Sequence, residues 1–321
     1  MEIITVTLNP AVDKKLTLGE IAPGGTNRCV LERVDFSGKG VNAAKTLAAL
    51  GLACRAAGFM GKGDAARFAE TLAALGVFCD FTPISGEVRT NIKLLEDSGR
   101  ETEINESGPV VKEAEISAFH ENFAQSRGRG SVFVLSGSLP PGVPARIYAE
   151  LIETARASGG RVVLDASGEA LNFGVLAAPY AIKPNVAELE RFLRDNQAVL
   201  PSFDGELKSD ARIKEAARAV AGLGGVSLAA VSAGERGAYF VTKERAVKAR
   251  AAGRLDVKGT IGAGDAMAAG VAAAIFKGLD LDETARLASA CASAAVERDG
   301  TSAGAAAEIE LMKPRIILEE I

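Results

Sequence analysis

The chain has 321 residues, 48% hydrophobic and 24% charged, enough to bury a large core as one big α/β domain or two smaller ones. Its formal charge of -4 comes without any basic block, which argues against nucleic acid and anionic membranes as partners. No apolar run reaches transmembrane length and Met1-Glu-Ile-Ile lacks a signal peptide's basic start, so a cytoplasmic protein is expected.

Residues 3–8 form a β-branched run and predict a strand, with the polar cluster Asn9-Pro10-Ala-Val-Asp13 at its end. Open α/β sheets bind ligands just past the carboxyl ends of their strands. Residues 12–18 and 29–36 predict short strands around the turn Pro23-Gly-Gly-Thr-Asn27. Ser37-Gly-Lys-Gly-Val-Asn42 then leads into a helix over 43–50, followed by a strand at 53–60, a helix at 65–75 and a strand at 77–82. Residues 87–96 and 100–105 predict a β-hairpin about the turn Asp97-Ser-Gly99. In it, Val88, Thr90, Ile92 and Leu94 alternate with Arg89, Asn91 and Lys93, so one face suits apolar packing and the other an anion. An ordinary half-exposed hairpin explains the same alternation.

From residue 110 helices and strands alternate plainly. Helices are expected up to 125 and up to 157, near 169, at 185–193 and at 213–223. Strands are expected at 131–136, 161–165, 180–182 and 227–232, with a hairpin over 239–247. The small-residue helix after Asp265, a helix at 281–296 and a C-terminal helix close the chain. This alternation implies a mostly parallel, doubly wound α/β sheet. Its catalytic core comprises residues 1–11, 37–86 and 107–321, and the hairpin-rich pieces 12–36 and 87–106 form a small β lid. The four cysteines are scattered and form no Cys-x-x-Cys, which fits reduced thiols. The single histidine, His120, argues against Ser-His-Asp catalysis and a multi-His metal site.

The most informative stretch is Asp256-Val-Lys-Gly-Thr-Ile-Gly-Ala-Gly-Asp265. Gly262 and Gly264 let a ligand approach the main chain, and the helix that follows points free N–H groups and its positive end there. Asp265 in the same turn is placed to take a proton from a substrate hydroxyl; as a mere N-terminal acid it would only stabilise the helix. Lys39, between two glycines at a helix start, suits a sugar or phosphate, or else a solvated turn. Asn185-x-x-Glu188 reads either as an N-cap pair or as an acid reaching Mg²⁺ through water. Neither Gly38-Lys39-Gly40 nor Gly61-Lys62-Gly63 is followed by Ser or Thr, so no Walker site is present. Gly61-Lys-Gly-Asp-Ala-Ala66, with Asp80 at the end of the next strand, fits a dinucleotide fingerprint, although a tight turn capped by Asp64 is the preferred reading.

Nine segments stand in the order found in the ribokinase-like (phosphofructokinase B) sugar kinases. They are Thr7-Leu-Asn-Pro-Ala-Val-Asp13, Gly38-Lys-Gly-Val-Asn42, Arg89-Thr-Asn-Ile-Lys93, Thr102-Glu-Ile-Asn-Glu-Ser-Gly-Pro109, Leu135-Ser-Gly-Ser-Leu-Pro-Pro-Gly142, Asp165-Ala-Ser-Gly-Glu-Ala-Leu171, Lys183-Pro-Asn-Val-Ala-Glu188, Ser232-Ala-Gly-Glu-Arg-Gly-Ala238 and Gly262-Ala-Gly-Asp265. The resemblance spans essentially the whole chain. Leu-Asn-Pro-Ala-Val-Asp and the Arg-x-Asn-x-Lys hairpin resemble its 1-phosphofructokinase branch, with tagatose-6-phosphate kinase the nearest neighbour.

The resemblance implies an ATP- and Mg²⁺-dependent kinase acting on a phosphorylated ketohexose, fructose 1-phosphate first. It implies Asp265 as the base, with Gly262, Ala263 and Gly264 as an anion hole. Asp13 and Asn42 would hold sugar hydroxyls. Lys39, Arg89 and Arg28 would hold the existing phosphate, with Gly38 and Ser138 lining the substrate site. Lys183, Asn185 and Glu188 would face the ATP phosphates and Mg²⁺, Glu188 through water. Ser232, Gly234 and Gly237 would contact the nucleotide, with adenine near residues 288–295 and Gly300. The lid would close over the sugar, and its outer face would pair with another lid in a homodimer. Ser37, Val88, Ala233 and Ala266 depart from common family residues, but none removes a charge the mechanism needs. Rival readings are a tagatose-6-phosphate kinase or 6-phosphofructokinase, a kinase of neutral sugars, a non-catalytic sugar-phosphate sensor, and an NAD-dependent oxidoreductase built on residues 61–66.

Overall fold

The computed structural model describes residues 2–125, 130–200, 206–300 and 303–321. In chain order the first elements are β1 (Ile3–Thr7), β2 (Ala11–Leu18), β3 (Val30–Ser37), α1 (Lys39–Ala49), β4 (Cys54–Gly61), α2 (Ala65–Ala73), β5 (Phe78–Ile84), β6 (Arg89–Glu96) and β7 (Glu101–Asn105). The alternating part follows as α3 (Glu113–Gln125), β8 (Val132–Ser136), α4 (Ile147–Ala157), β9 (Arg161–Asp165), α5 (Gly168–Leu176), β10 (Ala181–Ile182), α6 (Val186–Asp195), α7 (Asp210–Ala221) and β11 (Leu228–Ser232). The chain ends with β12 (Ala238–Val241), β13 (Ala246–Ala251), α8 (Ala263–Lys277), α9 (Leu281–Val296), α10 (Ala306–Met312) and β14 (Ile316–Glu320).

A ten-stranded sheet runs β14-β13-β12-β11-β10-β9-β8-β1-β4-β5. The strands from β5 to β11 pair in parallel and the β12–β14 edge is antiparallel. The central strands are apolar on both faces, as a sheet covered by helices on each side requires. On one face Val41, Leu47, Phe68 and Leu72 pack with the buried residues of α8 and α9. On the other, Phe119, Phe123, Leu151, Leu189 and Ile213 bring α3 to α7 together. Helix α8 is lined by alanine and glycine because α9 lies so close: a Cβ at Gly270 would stand 2.5 Å from the Ala288 Cα.

A separate four-stranded sheet runs β3-β2-β6-β7. The expected hairpin forms, with β6 and β7 antiparallel, but β6 also pairs in parallel with β2, placing Arg89, Asn91 and Lys93 beside Ala11, Asp13 and Lys15. Alternation puts Leu16, Leu31, Val34, Ile92, Leu94 and Ile104 on the opposite face, where Leu31 and Ile104 are more than half exposed.

Three sequence expectations change. The expected C-terminal helix forms as α10, but β14 follows it, because Ile316 to Glu320 completes the edge beside β13. Helix α3 begins only at Glu113, since Val111 is tied by its N–H to the Pro141 carbonyl at 2.9 Å. Helix α1 begins at Lys39, a turn before the predicted start, so Lys39 and Asn42 are helical rather than loop residues. Gly40 permits this: a Cβ there would lie 2.5 Å from Thr7 Oγ1 and 2.6 Å from the Val6 carbonyl oxygen.

Candidate active site

The carboxyl ends of β1, β8, β9, β10 and β11 lie side by side in the large sheet. Strand order reverses at β1, whose neighbours β4 and β8 lead away in opposite directions, and such a point opens a crevice for a ligand. The nine sequence segments converge around this crevice because most of them follow those strand ends.

Asp265 sits in the first turn of α8 and is only 7% exposed. Gly262 caps that helix in the left-handed region at φ 81°. Among the described residues the Gly264 and Asp265 N–H groups donate to no backbone carbonyl and lie at the helix's positive end, whereas the Ala263 N–H, also expected in the anion hole, is turned to the Thr260 carbonyl at 3.4 Å. Gly264 is also a spacer, because a Cβ there would come 3.3 Å from Lys183 Nζ. Asn42 Nδ2 donates to Asp265 Oδ2 at 2.8 Å, and Ser37 Oγ lies 3.3 Å from the same nitrogen. Asn42, expected on sugar hydroxyls, here grips the acid at the heart of the cluster.

Burial is the main cause that pushes the Asp265 carboxyl up to about 6, and the negative charge of Asp165 adds to it; Lys39, Asn42 and Lys183 oppose the rise. Asp165, fully buried at the end of β9, is the residue that sequence reasoning passed over. Its Oδ1 receives both Lys39 Nζ at 3.3 Å and Lys183 Nζ at 3.2 Å, while its Oδ2 has no partner. Its charge holds the Lys39 ammonium well above the ordinary lysine range, with Asp265 and Glu188 contributing in the same direction. The available signal was a carboxylate closing the wholly apolar run Val162-Val-Leu164, a position where an acid needs buried cations.

The small sheet supplies the other wall. Asn91 Nδ2 donates to Asp13 Oδ1 at 2.8 Å. Beside them the Arg89 guanidinium donates to the Glu106 carbonyl at 3.3 Å, and its buried Nε has no partner. Burial lowers the Arg89 pKa and the Asp13 charge opposes this. A cleft of about 180 Å³ runs from Asp13 and Asn91 past Lys15, Arg33 and Lys93 to Gly259, Ile261 and Asp299. Lys15 closes its far side on Asp299 at 2.8 Å, and Arg33 donates to the Asp299 carbonyl at 2.7 Å. Gly300, expected near adenine, lies here against Arg33 and Asp35. Arg28 stands exposed on the loop between β2 and β3, and no hydrogen bond or ion pair among the described residues ties it to the cluster.

Ser138 is exposed in the loop after β8, whose Gly137 is fixed by its N–H to the Asp165 carbonyl at 3.0 Å and by its own carbonyl to Tyr148 Oη at 3.1 Å. Gly38 caps α1 at φ 131°, where a Cβ would strike Thr7 Cγ2 at 2.6 Å. Opposite, Asn185 and Glu188 make a reciprocal capping box, each bond 2.8 Å. Ser232 joins this corner by donating its N–H to the Pro184 carbonyl at 3.0 Å. Gly234 opens a tight turn at φ 58° with open space around it. Gly237 has a packing reason of its own, since a Cβ would lie 2.1 Å from the Ala249 carbonyl oxygen.

The dinucleotide-like turn is filled by protein. A Cβ at Gly61 would meet the Gly86 carbonyl at 2.6 Å, and one at Gly63 the Glu87 carboxylate at 2.5 Å. Asp64 accepts from the Val88 N–H at 3.2 Å and Asp80 pairs with Arg55 at 2.8 Å. Among the described residues no helix is long and apolar enough to cross a membrane.

The model of the pfkB family of carbohydrate kinases matches residues 5–308. The chain is 39% identical over 292 residues to the 1-phosphofructokinase of Rhodobacter capsulatus, covering 90% of this chain and 89% of that one. It is 32% identical over 317 residues to the 1-phosphofructokinase of Escherichia coli K12, covering 99% and 98%. Among solved structures, phosphofructokinase-2 of Escherichia coli in complex with substrates and products superposes with a TM-score of 0.89 at 26% identity, covering 98% and 99%.

Proposed function

The chain belongs to the pfkB family of carbohydrate kinases, and from that premise we propose that it transfers the terminal phosphoryl group of ATP to fructose 1-phosphate, giving fructose 1,6-bisphosphate. The observation that carries the reading is Asp265: a buried carboxylate at the free N-terminus of a helix, flanked by two lysines on one shared acid.

In this reading Asp265 accepts the proton of the attacking C6 hydroxyl as the oxygen forms its bond to phosphorus. The N–H groups around Gly262, Ala263 and Gly264 stabilise the charge on the transferring group, the contribution on which phosphoryl transfer chiefly depends. Lys39 stands on the sugar side and Lys183 on the ATP side. Asp13 orients sugar hydroxyls, while Gly38 and Ser138 shape the floor. Arg89 binds the phosphate already on the sugar, its unpartnered Nε awaiting an acceptor. Arg28 would join it only through movement of its exposed loop. Asn185, Glu188, Ser232, Gly234 and Gly237 form the nucleotide corner.

Mg²⁺ fits this corner because it keeps most of its water and needs few protein oxygens. Glu188 and the unpartnered Oδ2 of Asp165 would hold it there. When bound, it neutralises phosphate charge. The small sheet acts as a lid that excludes water, and its outer apolar face, with Leu31 and Ile104, pairs two chains into a homodimer; sedimentation as a monomer would remove that part.

A coupled ADP-release assay with Mg²⁺-ATP tests the whole. Fructose 1-phosphate, fructose 6-phosphate, tagatose 6-phosphate and ribose are compared, with Asp265→Asn alongside. Fast turnover confined to fructose 1-phosphate and lost in the variant is expected. Turnover of a 6-phosphate alone moves the specificity, and tight binding without turnover sinks the catalytic reading.

A further inference from the structure

The strand-end Asn9 has no part in the mechanism above, yet it is 4% exposed and its side-chain amide joins two loops of the site. Its Nδ2 donates to the Ser107 carbonyl at 3.0 Å and to Ser138 Oγ at 3.3 Å. Ser107 follows β7, where the small sheet returns to the core, and Ser138 lines the substrate floor.

The orientation of this amide is forced by chemistry. A main-chain carbonyl only accepts, so the amide edge facing Ser107 must be the NH₂. The same nitrogen then offers its second hydrogen to Ser138 Oγ, which acts there as acceptor. A hydroxyl that accepts on one side keeps its own hydrogen for another direction, and Ser138 is exposed toward the crevice. The preceding Gly137 is held at both its N–H and its carbonyl, so the amide acts on the Ser138 side chain and sets the direction left for its O–H. Asn9 Oδ1 faces Gly108, where a Cβ would lie 2.3 Å away and φ is +96°, and it has no partner of its own. Gly108 is therefore the residue that lets the returning strand lie against the amide.

We infer that Asn9 is a positioning residue that fixes Ser138 as a hydrogen-bond donor toward the phosphorylated sugar and ties that polarity to the lid's return segment at Ser107-Gly108. The inference rests on the proposed function. A donor selects an oxygen acceptor, such as a phosphate or ring-substituent oxygen, and the tie makes its direction depend on the lid being seated.

The test is a kinetic cycle of Asn9→Ala, Ser138→Ala and the double variant, with Asn9→Asp as the polarity reversal. Each is read with the sugar phosphate that the wild type turns over. Asp at position 9 accepts the Ser138 hydrogen and repels the Ser107 carbonyl. It should raise KM for the sugar phosphate about tenfold or more, leaving KM for ATP within about twofold. Ser138→Ala should raise the same KM, and the double variant should be no worse than Ser138→Ala, because the amide acts through that hydroxyl. The inference is overturned if the two alanine effects multiply, if KM for ATP rises in step with that for the sugar, or if Asn9→Asp behaves as wild type. Wild-type protein that turns over no sugar phosphate would instead refute the proposed function, and the inference with it.

Discussion

Replacing Asp265 by Asn should cut turnover sharply and, at neutral pH, make the protein more stable. The carboxyl is pushed from 3.8 up to about 6, chiefly by burial, so it holds its proton more tightly folded than unfolded. Stability from such a group is fully present below pH 3.8 and is lost as pH rises through about 6. Above that window the buried anion costs about 3 kcal/mol relative to a neutral side chain. An amide of the same shape escapes this cost and can still accept from Asn42 Nδ2, now 2.8 Å from Oδ2. Urea unfolding of ligand-free wild type and variant at pH 8 and pH 5 reads the effect. The variant should gain about 3 kcal/mol at pH 8, and about half of that should remain at pH 5. Turnover should meanwhile fall by about 100-fold or more, as expected on losing a general base. The same value sets the acid limb of wild-type kcat/KM, which should fall tenfold per pH unit below about 6. A variant no more stable than wild type at pH 8, or equally stabilised at both pH values, would refute the reasoning.

Lys39→Met should cut turnover by about 100-fold or more while leaving the protein folded, since Lys183 still pairs with Asp165 at 3.2 Å; full activity would show that Lys39 serves only the ion pair. Arg89→Lys should raise KM for the sugar phosphate about tenfold with little change for ATP, because an ammonium cannot replace a guanidinium's paired donors, and steady-state kinetics with each substrate varied separately will show it. Gly237→Ala should lose about 2 kcal/mol or more in thermal or urea unfolding, as φ is 89° and the added Cβ would meet the Ala249 carbonyl at 2.1 Å; unchanged stability would mean the turn yields freely.

The parallel core was legible because apolar strands are separated by amphipathic helices from β8 to β11. The final strand was not, since Ile316-Ile-Leu-Glu-Glu320 shows no clear period and gains its partner only through β13, distant in sequence. The parallel pairing of β2 with β6 was hidden for the same reason: no local signal states which face of a hairpin a remote strand will join. At the site, Asp265 and its glycines were readable because special backbone angles leave a trace in residue type. Asp165 was not singled out, since its meaning lies in two lysines that follow other strands or begin other helices. Asn42 was expected on sugar hydroxyls only through the family resemblance. Its bond to Asp265 depends on α1 and α8 packing together, which the helical start at Lys39 makes possible.

The buried Asp165 answers a difficulty that phosphoryl transfer poses for its base. The reaction wants cations close to the moving phosphate, yet cations close to Asp265 would hold its proton affinity too low to accept a hydroxyl hydrogen. Lys39 and Lys183 both rest on one Asp165 oxygen, so each is fixed in place and part of its field at Asp265 is offset. The charge of Asp165 itself acts on Asp265 in the same direction as burial. The outcome is an acid near 6, ionised at neutral pH and still a stronger base than an ordinary carboxylate. In the proposed mechanism, one carboxylate at the end of β9 would let the two lysines serve the phosphates without disabling Asp265 as the base.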